Sequence, residues 1–267
     1  MPDSSPSPSS TPGPAWLDRL PLRPGRREYV ALSRTATYSF LAALPLLVGY
    51  HVLILVANAG SGPVQVRVGA EVWITRLLAW FGATGMLALG VAVLVAGLVV
   101  FVAERKKDIP IRRRYFGWMV AESLVYAVVL AALVGYVVGV LFAVAPDVMA
   151  AQVGQPGRFM MLALSLGAGI YEELVFRVFL VGGLFAALHR LTPWTRGRAY
   201  VVAALVGALV FSAVHYIGPL GDPFALPSFT FRFLFGLALN AVFLVRGFGI
   251  AAWTHALYDV LVVTLVQ

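Results

Sequence analysis

The sequence predicts an all-α protein, a polytopic membrane helix bundle of seven or eight transmembrane helices. The chain of 267 residues is 60% hydrophobic and 12% charged, with a mean hydropathy of +0.87, whereas a soluble domain is about one quarter charged. Apolar runs of about 18 residues or more, long enough to cross a bilayer, recur along it. Because lipid offers backbone groups no water, and because these runs are continuous rather than alternating, they are expected to be helices.

The first segment, 1–34, is predicted to be a disordered Pro- and Ser-rich stretch followed by a basic cytoplasmic tail. Residues 1–14 are mostly Pro, Ser, Gly and Thr and cannot form a core. Arginines then accumulate up to residue 34. The first apolar run begins near residue 36 without an evident small-residue cleavage site, which indicates a membrane helix rather than a removable signal peptide.

Seven helices are predicted in chain order. Segment 35–114 holds two of them and a basic loop, and segment 115–267 holds the other five. The predicted helices are 36–57, 73–102, 117–143, 159–188, 199–216, 230–245 and 249–266. The long second helix and the Gly- and Pro-rich stretch 217–229 are the places where a break or a re-entrant turn would add an eighth.

The distribution of basic residues predicts the orientation of the chain. They crowd the N-terminal tail and the second and fourth loops, while the first, third and fifth loops hold almost none. By the positive-inside rule the protein is a multi-pass protein of the cell membrane with a cytoplasmic N-terminus. The net charge of +8 belongs to these loops, so nucleic acid is not an expected partner.

Six of the ionisable side chains inside the predicted spans cluster in the last 100 or so residues. They are Glu172, Glu173, Arg177, His215, His255 and Asp259. A charged group at the bilayer centre costs about 2.5–3.5 kcal/mol on insertion scales. Six such groups, of types that pair and transfer protons, indicate one shared polar site inside the bundle.

The motif Glu172-Glu173-x-x-x-Arg177 divides two carboxylates between two roles. Glu173 and Arg177 are four residues apart on a helix, so they share a face and can form a structural ion pair. Glu172 is rotated by about 100° from that face. It is therefore left as a free carboxylate, which suits a general base.

Two further motifs supply histidines on separate helices. His215, four residues after Phe211, could accept a proton or fix a water molecule against Glu172. His255 and Asp259 are four residues apart, so Asp259 could orient His255 for donation to a developing oxyanion.

Together these groups predict attack of water on a carbonyl, which means hydrolysis of a peptide bond inside or beside the membrane. The chain has no cysteine, which excludes thiolate catalysis and Cys-ligated metals. No HExxH pair is present, so no metal and no cofactor is predicted. A zinc site assembled from histidines and carboxylates of three helices is the alternative.

The ordered motifs EExxxR, FxxxH and HxxxD resemble those of the CAAX protease and bacteriocin-processing (CPBP, or ABI) family. These are intramembrane glutamic endopeptidases that include the type II CAAX-prenyl endopeptidases. The resemblance covers roughly residues 115–266. Three motifs in this order, each on its own hydrophobic helix, are far more specific than EExxxR alone.

The resemblance implies a role for each motif residue. Glu172 matches the catalytic glutamate, which activates water together with His215. His255 and Asp259 match the pair that stabilises the oxyanion, and Glu173 with Arg177 matches the supporting part of the first motif. Prenyl-protease members usually have Asn where this chain has Asp259, and an ionised Asp cannot donate to an oxyanion unless it is protonated or acts through His255.

The partners expected from this interpretation are the lipid bilayer and a peptide or membrane-protein substrate, with or without a lipid modification. Two other functions fit the same residues. Chains of buried Glu and His also relay protons in transporters, and a non-catalytic immunity or scaffold protein could use the motif to hold a peptide.

Overall fold

The computed structural model of the chain describes residues 23–59, 65–82, 85–143, 157–218 and 221–265. Within these ranges the regular structure consists of nine helices, and no described residue lies in a strand, which confirms the all-α prediction. The helices are α1 Pro24–Ser33, α2 Ala36–Ala57, α3 Gly69–Trp80, α4 Gly85–Glu104, α5 Arg113–Phe142, α6 Arg158–Leu191, α7 Arg196–Val214, α8 Leu226–Arg246 and α9 Phe248–Leu265.

Six of the described helices are long and apolar enough to cross a membrane, namely α2, α5, α6, α7, α8 and α9. The protein is therefore a multi-pass membrane protein, and the described residues do not confirm the predicted count of seven or eight spans. The predicted helix 73–102 is divided into α3 and α4. α3 ends before Gly82, whose φ of +79° favours glycine, and α4 follows it as a separate helix, Gly85–Glu104.

The last part of the predicted tail is helical. α1 begins at Pro24, where a proline in the first turn loses no helical hydrogen bond. Tyr29 and Leu32 are buried, and they pack in a cluster with residues of α2, α5 and α9. Residues 1–22, which include the predicted disordered stretch, lie outside the described residues.

Side chains and glycine define several helix ends. The Thr35 hydroxyl accepts a hydrogen bond from the Tyr38 backbone N–H at 3.2 Å and caps α2. Thr195 caps α7 in the same way by accepting from Arg198 N–H at 3.3 Å. Gly247, with φ +85°, forms the tight link between α8 and α9. This short link makes α8 and α9 neighbours.

α9 lies at the centre of the bundle and packs against α2, α5, α6 and α8. Its Trp253 Nε1–H donates to the Ala42 carbonyl of α2 at 2.7 Å. The contact with α6 is close because Gly169 has no side chain: a Cβ there would lie 2.5 Å from Ala256 Cβ and 2.6 Å from the Ala252 carbonyl oxygen. This packing carries His255 into the interior of the bundle.

α6 contains two π-helical segments, Ala168–Glu172 and Leu174–Val181, where the sequence predicts a regular helix over 159–188. A π turn holds more residues than an α turn, so it changes the direction in which successive side chains point. Such turns are rare and are often found at functional sites. Glu172 and Glu173 lie at the junction of the two segments.

Candidate active site

The floor of the site is a buried chain of three ionisable groups from α6 and α9. Glu173 Oε1 lies 3.0 Å from Arg177 Nη1, and the two side chains are 0% and 1% exposed. The same carboxylate oxygen accepts a hydrogen bond from His255 Nδ1 at 2.7 Å. Glu173 therefore links the first motif to the third, in addition to the ion pair that its spacing from Arg177 predicts.

A second pair lies nearer the surface and joins α6 to the end of α7. His215 Nε2 is 3.9 Å from Glu172 Oε2, and the side chains are 26% and 16% exposed. His215 Nδ1 is 2.7 Å from the Phe211 carbonyl oxygen. In that contact Nδ1 must be the donor, so Nε2 of a neutral imidazole is an acceptor that faces Glu172.

Asp259 completes the group of predicted site residues but does not hold His255 as its spacing suggests. Its Oδ2 lies 3.7 Å from His255 Nε2, which is too long for a hydrogen bond. Glu173 of α6 orients the imidazole instead, through Nδ1. Helical spacing identifies partners on the same helix, whereas this partner is supplied by the close packing of α6 and α9 at Gly169.

Phe211 is a site component as well as a packing residue. Its ring lies 4.5 Å from the guanidinium carbon of Arg177, 5.0 Å from the His215 ring and 5.9 Å from the His255 ring, measured to ring centroids. A cation over an aromatic face is attracted by the ring electrons. The Phe211 ring thus separates the buried floor from His215 and supports both.

Arg232, another ionisable residue within a predicted span, was not among the predicted site residues. Arg232 Nη2 pairs with Asp222 Oδ2, and the side chains are 16% and 27% exposed. The Asp222 backbone N–H donates to the His215 carbonyl oxygen at 2.8 Å. A charge inside the apolar run 230–245 was the signal that could have identified Arg232, because such residues are rare in membranes unless functional.

Asn240 and His51 have roles in holding helices together. Asn240 Nδ2 donates to the Ala204 carbonyl of α7 at 2.9 Å, and such bonds are common between membrane helices. His51 Nε2 of α2 lies 2.8 Å from the hydroxyl of Tyr171. The residue next to Glu172 is therefore anchored to α2, which belongs to the N-terminal half of the chain.

Several polar atoms of the site are buried without a hydrogen bond to any described residue. They are Glu172 Oε2, Glu173 Oε2 and the three guanidinium nitrogens of Arg177. Most buried polar groups in proteins are satisfied, so unsatisfied ones need an explanation. In the described part of the chain no group of three or more His, Cys, Asp or Glu side chains is arranged to hold a metal ion.

Residues 154–261 match a family model described as type II CAAX prenyl endopeptidase Rce1-like. This range contains all six predicted site residues. This part of the chain is therefore similar to an Rce1-like endopeptidase domain. The match confirms the family resemblance drawn from the three motifs, and the family is one of membrane proteases. No curated protein and no solved structure matches the chain.

The matched range covers α6 to α8 and most of α9, while α1 to α5 precede it. The preceding helices are nevertheless packed against it. α2 contacts α6 and α9, and α5 contacts α8 and α9. The helices of the matched range, which carry the site, are therefore supported on one side by the N-terminal half of the chain.

Proposed function

We propose that the protein is an intramembrane glutamic endopeptidase in which Glu172 and His215 activate a water molecule for attack on a peptide carbonyl. The observation that carries this proposal is the pairing of Glu172 Oε2 with His215 Nε2 at 3.9 Å across two helices. The separation is too long for a direct hydrogen bond and suits one bridging water, about 2.8 Å from each atom.

The division of roles follows from the contacts of each group. His215 Nδ1 is occupied by the Phe211 carbonyl, so Nε2 is the proton-accepting nitrogen. Glu172 Oε2 has no hydrogen-bond partner among the described residues, and an unpaired carboxylate is a competent base. Glu172 accepts the proton of the attacking water and His215 holds the water in line. The proton then passes to the leaving amine.

His255 stabilises the tetrahedral intermediate in this proposal. Its Nδ1–H is already donated to Glu173, so donation from Nε2 to an oxyanion requires the doubly protonated ring. Glu173 on one side and Asp259 on the other are the counter-charges that an imidazolium needs. Asp259 acts here only as a counter-charge beside His255 and accepts no hydrogen bond from it, a role that an ionised carboxylate can fulfil.

The proposed substrate is a peptide or a membrane protein that reaches the site within the bilayer. The matching family model is described as a prenyl endopeptidase. A lipid-modified substrate is included in this proposal on that basis alone. The proposed location is the cell membrane, with a cytoplasmic N-terminus, because basic residues crowd the loops assigned to that side.

The test is cleavage of a membrane-reconstituted peptide library, read by mass spectrometry of new termini. Glu172→Gln and His215→Asn are expected to lower kcat by about 10²–10⁴-fold, the usual contribution of general acid–base catalysis. His189→Ala, at an exposed position of α6, is the matched control and should cut at the wild-type rate.

Full cleavage by folded Glu172→Gln protein would contradict the catalytic assignment. Proton flux into liposomes that depends on Glu172, with no cleavage by the wild-type protein, would favour a proton-coupled transporter instead. A phenotype unchanged by Glu172→Gln would favour a non-catalytic scaffold.

A further inference from the structure

We propose that Asp222 and Arg232 are positioning residues that hold His215 in place against Glu172. This inference rests on the proposed function, since it assigns His215 a precise position relative to the general base. The need for positioning arises from where the three catalytic groups lie. Glu172 and His255 occupy the interiors of α6 and α9, whereas His215 caps the C-terminal end of α7.

A helix end is the part of a helix most prone to fraying, because its last carbonyl groups lack partners within the helix. Two hydrogen bonds hold His215 in place. Its side chain donates to the Phe211 carbonyl at 2.7 Å, and its own carbonyl accepts the backbone N–H of Asp222 at 2.8 Å. The second bond attaches Asp222, in the segment between α7 and α8, to His215.

The ion pair holds that connection to α8. Asp222 Oδ2 accepts a hydrogen bond from Arg232 Nη2, and both side chains are largely buried. The guanidinium carbon of Arg232 also lies 5.1 Å from the ring centroid of Tyr216, the residue after His215. Arg232 therefore contacts two residues next to the His215 carbonyl: Tyr216, which follows it in the chain, and Asp222, whose N–H donates to that carbonyl.

Further contacts of aromatic rings and hydroxyl groups also attach the end of α7 to the start of α8. The Tyr216 hydroxyl donates to Ser228 Oγ at 2.9 Å, and its ring packs on Phe224 at 5.2 Å. Ser212, one turn before His215, donates to the Phe229 carbonyl at 2.7 Å. The end of α7 is thus attached to the start of α8 at several points, and the Asp222–Arg232 pair is the charged contact among them.

The alternative role for Arg232 is direct binding of an anionic group of the substrate. Its Nη1 is buried and makes no hydrogen bond with a described residue, so a substrate carboxylate would be a suitable ligand. The two roles differ in one respect. A positioning role requires Asp222 and Arg232 to act together, whereas substrate binding belongs to Arg232 alone.

The kinetic test uses Asp222→Asn, Arg232→Gln and the double variant in the full-length protein. Loss of the ion pair is expected to lower kcat by about 10–100-fold with KM little changed, the range seen for groups that orient catalytic ligands. The double variant should lose no more than either single variant, because both remove one interaction. Glu28→Gln, which breaks the ion pair with Arg112 outside the site, is the control and should keep the wild-type kcat.

A structural readout separates this inference from the proposed function. The chain has 4 histidines, so imidazole signals in selectively labelled protein can be assigned by NMR, that of His215 being the one lost in His215→Asn. Asp222→Asn and Arg232→Gln should shift the His215 signal, and Glu28→Gln should not.

Unchanged His215 signals in both variants would overturn the inference. So would a raised KM in Arg232→Gln that is absent in Asp222→Asn, since that result assigns Arg232 to the substrate. If no form of the protein cleaves peptides but the His215 signal moves as expected, the proposed function fails while the positioning role stands.

Discussion

Two buried Glu–Arg clusters in the bundle contain the same kinds of charged group. They differ in how many of the polar atoms make hydrogen bonds. In the first, Arg246 of α8 donates to both oxygens of Glu122, at 2.6 and 2.9 Å, and to Ser33 at 3.0 Å. Glu122 also accepts from the hydroxyls of Tyr29 and Tyr126.

In the second cluster, Glu173 and Arg177 touch at 3.0 Å. The guanidinium nitrogens of Arg177 make no hydrogen bond with a described residue, and one oxygen each of Glu172 and Glu173 is unpaired. Removing one partner of a fully bonded buried ion pair is strongly destabilising, whereas a buried polar group without a hydrogen bond already costs free energy. The Glu122 cluster therefore joins helices, whereas the unsatisfied groups of the Glu172 cluster are consistent with the proposed catalytic role.

The largest stability effect is expected at the satisfied cluster. Glu122→Gln leaves the buried Arg246 guanidinium without a counter-charge, which should lower the free energy of unfolding by about 3 kcal/mol. Glu172→Gln removes an unpaired buried carboxylate and should leave stability unchanged or slightly raised. Unfolding of both variants in detergent measures the contrast. An equal loss of stability in the two variants would contradict the proposed difference between the clusters.

A smaller effect is expected from the close contact that aligns the site. Gly169→Ala places a Cβ 2.5 Å from Ala256 Cβ and 2.6 Å from the Ala252 carbonyl, and overpacking of this kind costs about 1–3 kcal/mol. It should also lower the rate of cleavage, because α6 and α9 carry Glu173 and His255. Gly183→Ala, where a Cβ meets nothing within 4 Å, is the matched control and should be neutral in both assays.

The smallest effect is expected at the aromatic support of the second cluster. Phe211→Leu keeps an apolar side chain and removes the ring that lies 4.5 Å from Arg177, which should cost about 0.5–2 kcal/mol. Phe179→Leu, at a position 61% exposed, is the control and should change the free energy of unfolding by less than about 0.5 kcal/mol. Equal losses in the two variants would show that the ring gives Arg177 no special support.

The predicted helices match the observed ones best where long apolar runs decide the structure. The helix predicted at 36–57 is α2, residue for residue. The helix predicted at 73–102 is wrong as a single element, because a glycine turn divides it without interrupting its hydropathy. The π-helical segments of α6 were also missed, since a π turn arises from packing rather than from the periodicity of apolar residues.

The candidate site was also predicted only in part from the sequence. Motif spacing identified the residues that the structure brings together, including Glu172 with His215. It did not identify Glu173 as the hydrogen-bond partner of His255, because Glu173 is 82 residues away in the chain. Arg232 was overlooked even though its charge in an apolar run was visible.

The sequence alone determined the environment of this protein, its helical class and the identity of the polar groups that lipid must hide. Those properties depend on composition and on the spacing of nearby residues, which the sequence contains directly. The tertiary structure decided which groups meet. Partners across helices depend on how closely two backbones approach, as Gly169 allows for α9, and on where a helix ends, as α7 does at His215. Neither quantity can be read from residues that are close in sequence.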